Sequence, residues 1–128
     1  NLVKVLKPIK HYLLSNHSYM YQKAIDFIKQ NYKKPIGLND LGNALDVTPN
    51  YISRVISKEG KKGENTFVDL VTTYRINEAK KMIQEGVTIK DISYQVGFHS
   101  ISYFSKCFKK KTGLSPKEYQ EKMNAQLD

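Results

Sequence analysis

Two short stretches of the chain concentrate side chains that grip phosphate or read base edges, and neither contains an acid to oppose them. Residues 47–58 offer Thr48, Asn50, Tyr51, Ser53, Arg54 and Lys58. Between Asp91 and Glu118 stand His99, Ser100, Ser102, Tyr103, Ser105, Lys106, Lys109 and Lys110, with Lys111 and Lys117 beside them. Hydroxyls, amides and cations bind phosphate oxygens, and amides and guanidinium groups also pair with base edges. The whole chain leans the same way, with 21 Lys and Arg against 12 Asp and Glu and a formal net charge of +9. A pI near 9.5 attracts polyanions, and nucleic acid is the first suspect.

Catalytic chemistry finds little support. There is no phosphate-cradling glycine loop, no Gly-x-Ser-x-Gly elbow and no His-Glu-x-x-His. His11, His17 and His99 lack the spacing or cysteine company of a metal site. The single Cys107 excludes an internal disulfide, has no partner for redox sensing, and is expected to pack. No catalytic residue, metal or cofactor is therefore expected. No apolar run reaches the roughly 18 residues of a membrane span, and no signal peptide or lipidation motif is present. A soluble, cytoplasmic chain with no membrane partner is expected. It opens on Asn1 rather than Met, which suggests a fragment with any sensory domain lying upstream.

Helices must position these side chains, because apolar residues recur at three- and four-residue spacing and strand-like alternation is nearly absent. Residues 1–18 hold Leu2, Val3, Val5, Leu6 and Ile9 around Pro8 without one period, and are expected to be a linker or the tail of an upstream domain. Residues 19–128 form the domain proper. A first packing helix over 19–32 carries Ala24, Ile25, Phe27 and Ile28 and stops at Pro35 and Gly37. A short helix from Leu38 to Leu45 breaks at Asp46 and Val47. Thr48 then caps, and Pro49 opens, a second helix to about Lys58. After a polar loop over 59–65, a long helix over 66–85 aligns Phe67, Leu70, Val71, Tyr74, Met82 and Ile83 on one face and ends at Gly86. Thr88 caps a helix through Val96, a turn spans 97–99, and Ser100 opens a helix to about Thr112. Ser115, Pro116 and Glu118 make a capping box for a last helix.

The two helix pairs, 38–58 and 88–112, are copies of one another. Leu38, Asp40, Leu41, Leu45 and Val47 correspond to Ile89, Asp91, Ile92, Val96 and Phe98 at a constant offset. Tyr51-Ile52-Ser53-Arg54 then corresponds to Tyr103-Phe104-Ser105-Lys106 at an offset one larger, so the extra residue falls in the second turn. A short helix, a tight turn and a capped second helix make a helix-turn-helix, whose second helix enters a major groove. The helix N-termini capped by Thr48 and Ser100 also present backbone N–H groups to phosphate. At 1.5 Å per residue the long helix between the copies spans roughly 30 Å, beside about 34 Å between successive groove faces on one side of B-DNA.

The segment Ile89-x-x-Ile92 through Val96-Gly97-Phe98, then Tyr103-Phe104-Ser105-Lys106-x-Phe108-Lys109-Lys110, then Thr112-Gly113-Leu114-Ser115-Pro116 and Tyr119, resembles the AraC/XylS family of bacterial transcription regulators. Arg75 and Ala79 stand where that family's linker helix has Arg-x-x-x-Ala. The resemblance implies an all-α, seven-helix bilobed domain with two helix-turn-helix motifs joined by a long linker helix. It implies sequence-specific binding of double-stranded promoter DNA by two recognition helices in adjacent major grooves. RNA polymerase and an upstream sensory or receiver domain are the further partners it implies. The family's base-facing positions fall on Asn50, Ser53 and Arg54, and on Ile101, Ser102 and Lys106. Ile101 has no hydrogen-bonding group and touches at most a thymine methyl. The chain departs from the pattern at Asp46, where a turn glycine is common, and at Gly42 and Ser93, where small alanines stand.

Blander roles compete at several positions. Arg54 and the Lys109 to Lys111 run also fit solvated helix surface, the latter favoured by the helix dipole. Tyr51 and Tyr103 suit a core aromatic as well as a phosphate contact, and Arg75 suits a packing role better than a DNA contact. A basic helical adaptor that binds RNA or an acidic protein shares the charge and is the alternative function.

Overall fold

A computed structural model describes the backbone of residues 2–127 and the side chains of residues 16–126. The described residues form seven helices and no strand: α1 (Leu2–Asn31), α2 (Leu38–Leu45), α3 (Pro49–Glu59), α4 (Phe67–Gln84), α5 (Ile89–Gln95), α6 (Ile101–Thr112) and α7 (Pro116–Leu127). Local chemistry sets most of these boundaries. Thr48 Oγ1 accepts the Tyr51 N–H at 3.1 Å, Thr88 Oγ1 that of Asp91 at 3.3 Å, and Ser100 Oγ that of Tyr103 at 3.2 Å. Each bond satisfies one donor that a helix start leaves open. Thr66 does the same for Asp69 at 3.1 Å.

The expected break before Tyr19 is absent, because α1 runs unbroken from Leu2 through Asn31. The apolar pattern around Pro8 lies outside the described side chains. The physical reason for continuity is a missing stop: no glycine precedes Gly37, and helix propagation adds one bond per residue once a nucleus exists.

The chain divides into two compact units, one of Asn1–Gln30 and Ile36–Leu70, the other of Asn31–Pro35 and Val71–Asp128. In the first, Ala24 and Ile28 of α1, Leu41 of α2, Ile52, Val55 and Ile56 of α3, and Phe67 and Leu70 of α4 are buried. The i, i+3, i+4 spacing of the α3 residues gives that helix one inner face and frees the other. In the second, Ile76, Ala79, Ile83, Ile92, Val96, Phe98, Phe104 and Phe108 form one cluster. Its aromatic rings run in a chain: Phe98 to Phe104 at 5.3 Å, Phe104 to Phe108 at 5.7 Å, and Phe108 to Tyr119 of α7 at 5.4 Å.

The face expected of α4 needs correction. Phe67, Leu70, Val71 and Ile83 are buried, but Tyr74 and Met82 are only half-buried, while Ile76 and Ala79 are 1% and 0% exposed. At 3.6 residues per turn, Ile76, Ala79 and Ile83 form a stripe of their own, distinct from the one begun by Phe67 and Leu70. A single helix thus carries one apolar stripe at its start and another along its remainder.

The two helix-turn-helix turns solve the same problem with different residues. Asp46 closes α2 in the left-handed region at φ 57°, ψ 44°, the conformation aspartate tolerates better than most side chains. Gly97 occupies the corresponding place at φ 99°, and the additional residue of the second turn is absorbed by His99 at φ 57°. Gly97 lies against a tie across the second unit: Arg75 of α4 donates from Nε to Tyr32 O at 2.8 Å and from Nη2 to Lys34 O at 3.0 Å. The guanidinium also sits 5.7 Å from the Phe98 ring centroid, and burial lowers its pKa. Arg75 therefore holds the segment that follows α1 to α4, the packing role.

At α7 the Ser115 N–H donates to Glu118 Oε1 at 3.0 Å and the Glu118 N–H to Ser115 Oγ at 3.1 Å. The Ser115 N–H holds the Glu118 carboxyl below its ordinary value of 4.5. A carboxyl depressed by folding stabilises above its unfolded pKa and loses that contribution as pH falls through the folded one. The first turn of α7 is therefore expected to fray below about pH 4.5, seen as faster amide exchange at Ser115. Glu118→Gln should abolish that pH dependence.

Candidate nucleic-acid interface

The inner faces fixed by the two cores decide what α3 and α6 present outward. On α3, Asn50, Ser53 and Arg54 are exposed and Tyr51 is half-buried. Asn50, Ser53, Arg54 and Ser57 stand at i, i+3, i+4 and i+7, one stripe along the helix, and all four are exposed. Ser57 was not singled out from the sequence; its spacing from Asn50 was the available signal. Lys58 is exposed at the end of the helix, and Thr48 at its start.

On α6, Ser102, Lys106, Lys109 and Lys110 are exposed, opposite the fully buried Phe104 and Phe108. Ile101 is 41% exposed, an apolar side chain left on a polar face. Ser100 and Ser105 are half-buried, so they are weaker candidates for contact than their exposed neighbours. Because the repeat offset places Ser102, Ser105, Lys106 and Lys109 opposite Asn50, Ser53, Arg54 and Ser57, the two outward stripes coincide in position and differ in chemistry.

Tyr103 packs one edge of its ring and leaves the rest exposed, which keeps both roles open. Its ring meets Phe98 edge-on at 5.7 Å, yet the residue is 51% exposed. A hydrogen bond with the Cys107 side chain, more than burial, pushes its phenol pKa up. Cys107 is thereby engaged with Tyr103 and half-buried, in accord with packing. His99 is exposed, its ring 6.0 Å from that of Tyr94, itself exposed and not anticipated. Arg54 Nε–H points back to Asn50 O at a long 3.4 Å, a contact easily exchanged for a partner in a groove. Neither outward stripe carries a carboxylate.

Among the described residues no group of His, Cys, Asp or Glu could hold a metal ion. No helix among them is long and apolar enough to cross a membrane. The arrangement can bind a polyanion and hydrogen-bond to base edges.

A family model described as a helix-turn-helix domain matches residues 41–122. The chain is similar to the HTH-type transcriptional regulator YijO of Escherichia coli K-12, 26% identical over 88% of this chain and 39% of that protein. It is also similar to the lactose operon transcription activator of Staphylococcus xylosus, 29% identical over 77% of this chain and 35% of that one. It thus spans well under half of these relatives. Among solved structures it resembles the C-terminal domain of AraT, a response regulator from Geobacillus stearothermophilus, with TM-score 0.74 and 29% identity over 80% of this chain and 84% of that one.

Proposed function

We propose that this chain, which belongs to the AraC-type helix-turn-helix family of transcription regulators, binds double-stranded promoter DNA sequence-specifically and so regulates transcription. The observation that carries this reading is the pair of outward stripes. Asn50, Ser53 and Arg54 on α3, and Ser102, Lys106 and Ile101 on α6, are exposed opposite buried faces, each on a helix started by a side-chain cap. Asn and Arg pair with adenine and guanine edges, and lysines and hydroxyls hold phosphate. The function is binding, with no bond made or broken. We place it in the cytoplasm with RNA polymerase as a partner. We also place a sensory or receiver domain upstream, which agrees with its likeness to the C-terminal domain of a response regulator. An adaptor for RNA or an acidic protein is not favoured, since two capped helices with outward polar stripes suit major grooves.

Because the two stripes differ in chemistry, the preferred site should be asymmetric, and selection from random duplexes would recover it. Arg54→Ala should cost about 1–3 kcal/mol on the selected site and relax preference at one base pair. Fluorescence anisotropy on the selected and a scrambled duplex checks this. Equal losses on both would reduce Arg54 to a phosphate contact.

A further inference from the structure

Among the described residues the large hydrophobic side chains left exposed are Tyr19, Val68, Tyr94, Ile101 and Tyr103. The first helix-turn-helix contributes none of them, while Tyr94, Ile101 and Tyr103 all belong to the second. Tyr94 sets its ring 6.0 Å from that of His99, and Tyr103 sets its ring 5.7 Å from that of Phe98. Ile101 is the aliphatic one, 41% exposed at the first position of α6. A single exposed hydrophobic side chain is ordinary on a protein surface. Its address is not, because the N-terminal residues of a recognition helix are the ones that meet base edges.

Ile101, Phe104 and Phe108 stand at i, i+3 and i+7, so Ile101 continues the inner stripe of α6. The two phenylalanines are fully buried, and the core stops short of Ile101. The helix start does not depend on it, since Ser100 caps α6 by accepting the Tyr103 N–H at 3.2 Å. That cap fixes the backbone and branching at Cβ restricts the side-chain rotation, so the isoleucine is held in place before any ligand arrives. The exposed polar residues of α6 are Ser102, Lys106, Lys109 and Lys110, and no acid lies between Asp91 and Glu118. An apolar tip on so basic a helix suits a polyanion with an apolar spot better than an apolar protein face, which would desolvate the cations. In the first copy the corresponding place is held by Pro49, half-buried, and the stripe beyond it reads through the polar atoms of Asn50 and Arg54.

We propose that Ile101 reads a C5-methyl group in the major groove, so that the half-site met by α6 is methyl-dependent and the half-site met by α3 is not. The thymine methyl is the apolar group among the features that distinguish bases in this groove; the others are donors and acceptors. An isoleucine laid against one of those takes water from it and returns no hydrogen bond. Asn50 and Arg54 pair with adenine and guanine through groups that a methyl does not alter. The methyl comes from thymine or from 5-methylcytosine, which carries it at the same ring position. This inference rests on the DNA-binding reading above and gives the asymmetric site a direction, since one half alone answers to methyls.

Replacing each thymine of the selected duplex in turn by deoxyuridine tests it, because uracil keeps every hydrogen-bonding group of thymine and lacks only the methyl. One replacement, confined to one half of the site, should weaken binding about fourfold, the scale of one buried methyl group. Ile101→Ala should weaken binding to the unmodified duplex by at least that factor and make the same replacement cost nothing further, the mark of a shared contact. Ile101→Val, which keeps the branch at Cβ, should retain part of the sensitivity; thermal melts establish that both variants are folded. Cytosine and then 5-methylcytosine at that position separate the sources. A gain of about fourfold on methylation, lost in Ile101→Ala, means that either base supplies the methyl; no gain assigns it to thymine alone. The proposal is overturned if no deoxyuridine costs affinity, or if each costs the unaltered chain and Ile101→Ala alike, while the selected duplex is still preferred to a scrambled one. DNA binding then stands and Ile101 is plain surface. A chain that prefers no duplex removes the functional reading, and the methyl contact with it.

Discussion

Gly97→Ala is expected to destabilise the second unit by about 2–4 kcal/mol, and with it to disable the second reader. The turn holds Gly97 at φ 99°, a region that a side chain enters only with strain. Space is the larger obstacle. A Cβ there would stand 2.5 Å from Tyr32 O, 3.0 Å from Arg75 Nε and 3.2 Å from Arg75 Cζ. The carbonyl cannot swing aside alone, because it accepts the Arg75 Nε–H at 2.8 Å. Relief therefore requires breaking the tie between the segment after α1 and α4, which leaves a half-buried guanidinium short of acceptors. Gly113→Ala separates the two causes. Gly113 has φ 84° and open space around the added carbon, so it should lose only the backbone contribution, about 1 kcal/mol. Urea unfolding of both variants, followed by amide signals from α5 and α6, measures the difference. Similar losses at the two glycines would show that the Arg75 contact does not constrain the turn.

The same turn divides what residue chemistry dictates locally from what tertiary packing decides. Caps carry their chemistry in one side chain and its next few neighbours, so Thr48 with Pro49, Thr88, Ser100, and Ser115 with Glu118 placed four helix starts within a residue or so. Asp46 was legible as a left-handed residue for the same local reason. Features set by tertiary packing were not. Nothing in the one-dimensional pattern says that α4 changes its buried stripe at Ile76 and Ala79, because a helix packed in two units need not keep a single face. The repeat located an extra residue in the second turn but not that His99 would absorb it at positive φ. His17 stood in a segment read as linker or tail, and its nearness to Tyr51 depends on α1 running unbroken. The outward stripes of α3 and α6 were readable because a helix with a known inner face has a known outer one. That Ser105 lies half-buried between Phe104 and the exposed Lys106 was not legible in the same way.

Affinity for duplex DNA should fall about five-hundredfold between 50 and 200 mM salt if five phosphates are neutralised, since log K falls by about 0.9 per contact against log salt. Arg54, Lys58, Lys106, Lys109 and Lys110 are exposed on the two recognition helices, and backbone N–H groups at the capped helix starts add contacts without adding to the slope. Lys109 and Lys110 decide between two accounts. They occupy the last turn of α6, where the Gly113 N–H bonds Lys109 O at 2.8 Å, and a cation there is favoured by the helix dipole whatever the ligand. If they also hold phosphate, replacing both with alanine should flatten the slope by about 1.8 and weaken selected and random duplexes alike. If they serve the helix end alone, the melting temperature falls and the slope stays. Lys81 supplies the control: Glu78 Oε1 lies 3.0 Å from its Nζ, so its charge is already compensated and Lys81→Ala should leave the slope unchanged. Titrating each protein with salt at fixed duplex, and melting each without DNA, separates the two accounts. An unchanged slope for the double variant would remove the end of α6 from the interface and shift the electrostatic grip to Lys106 and α3.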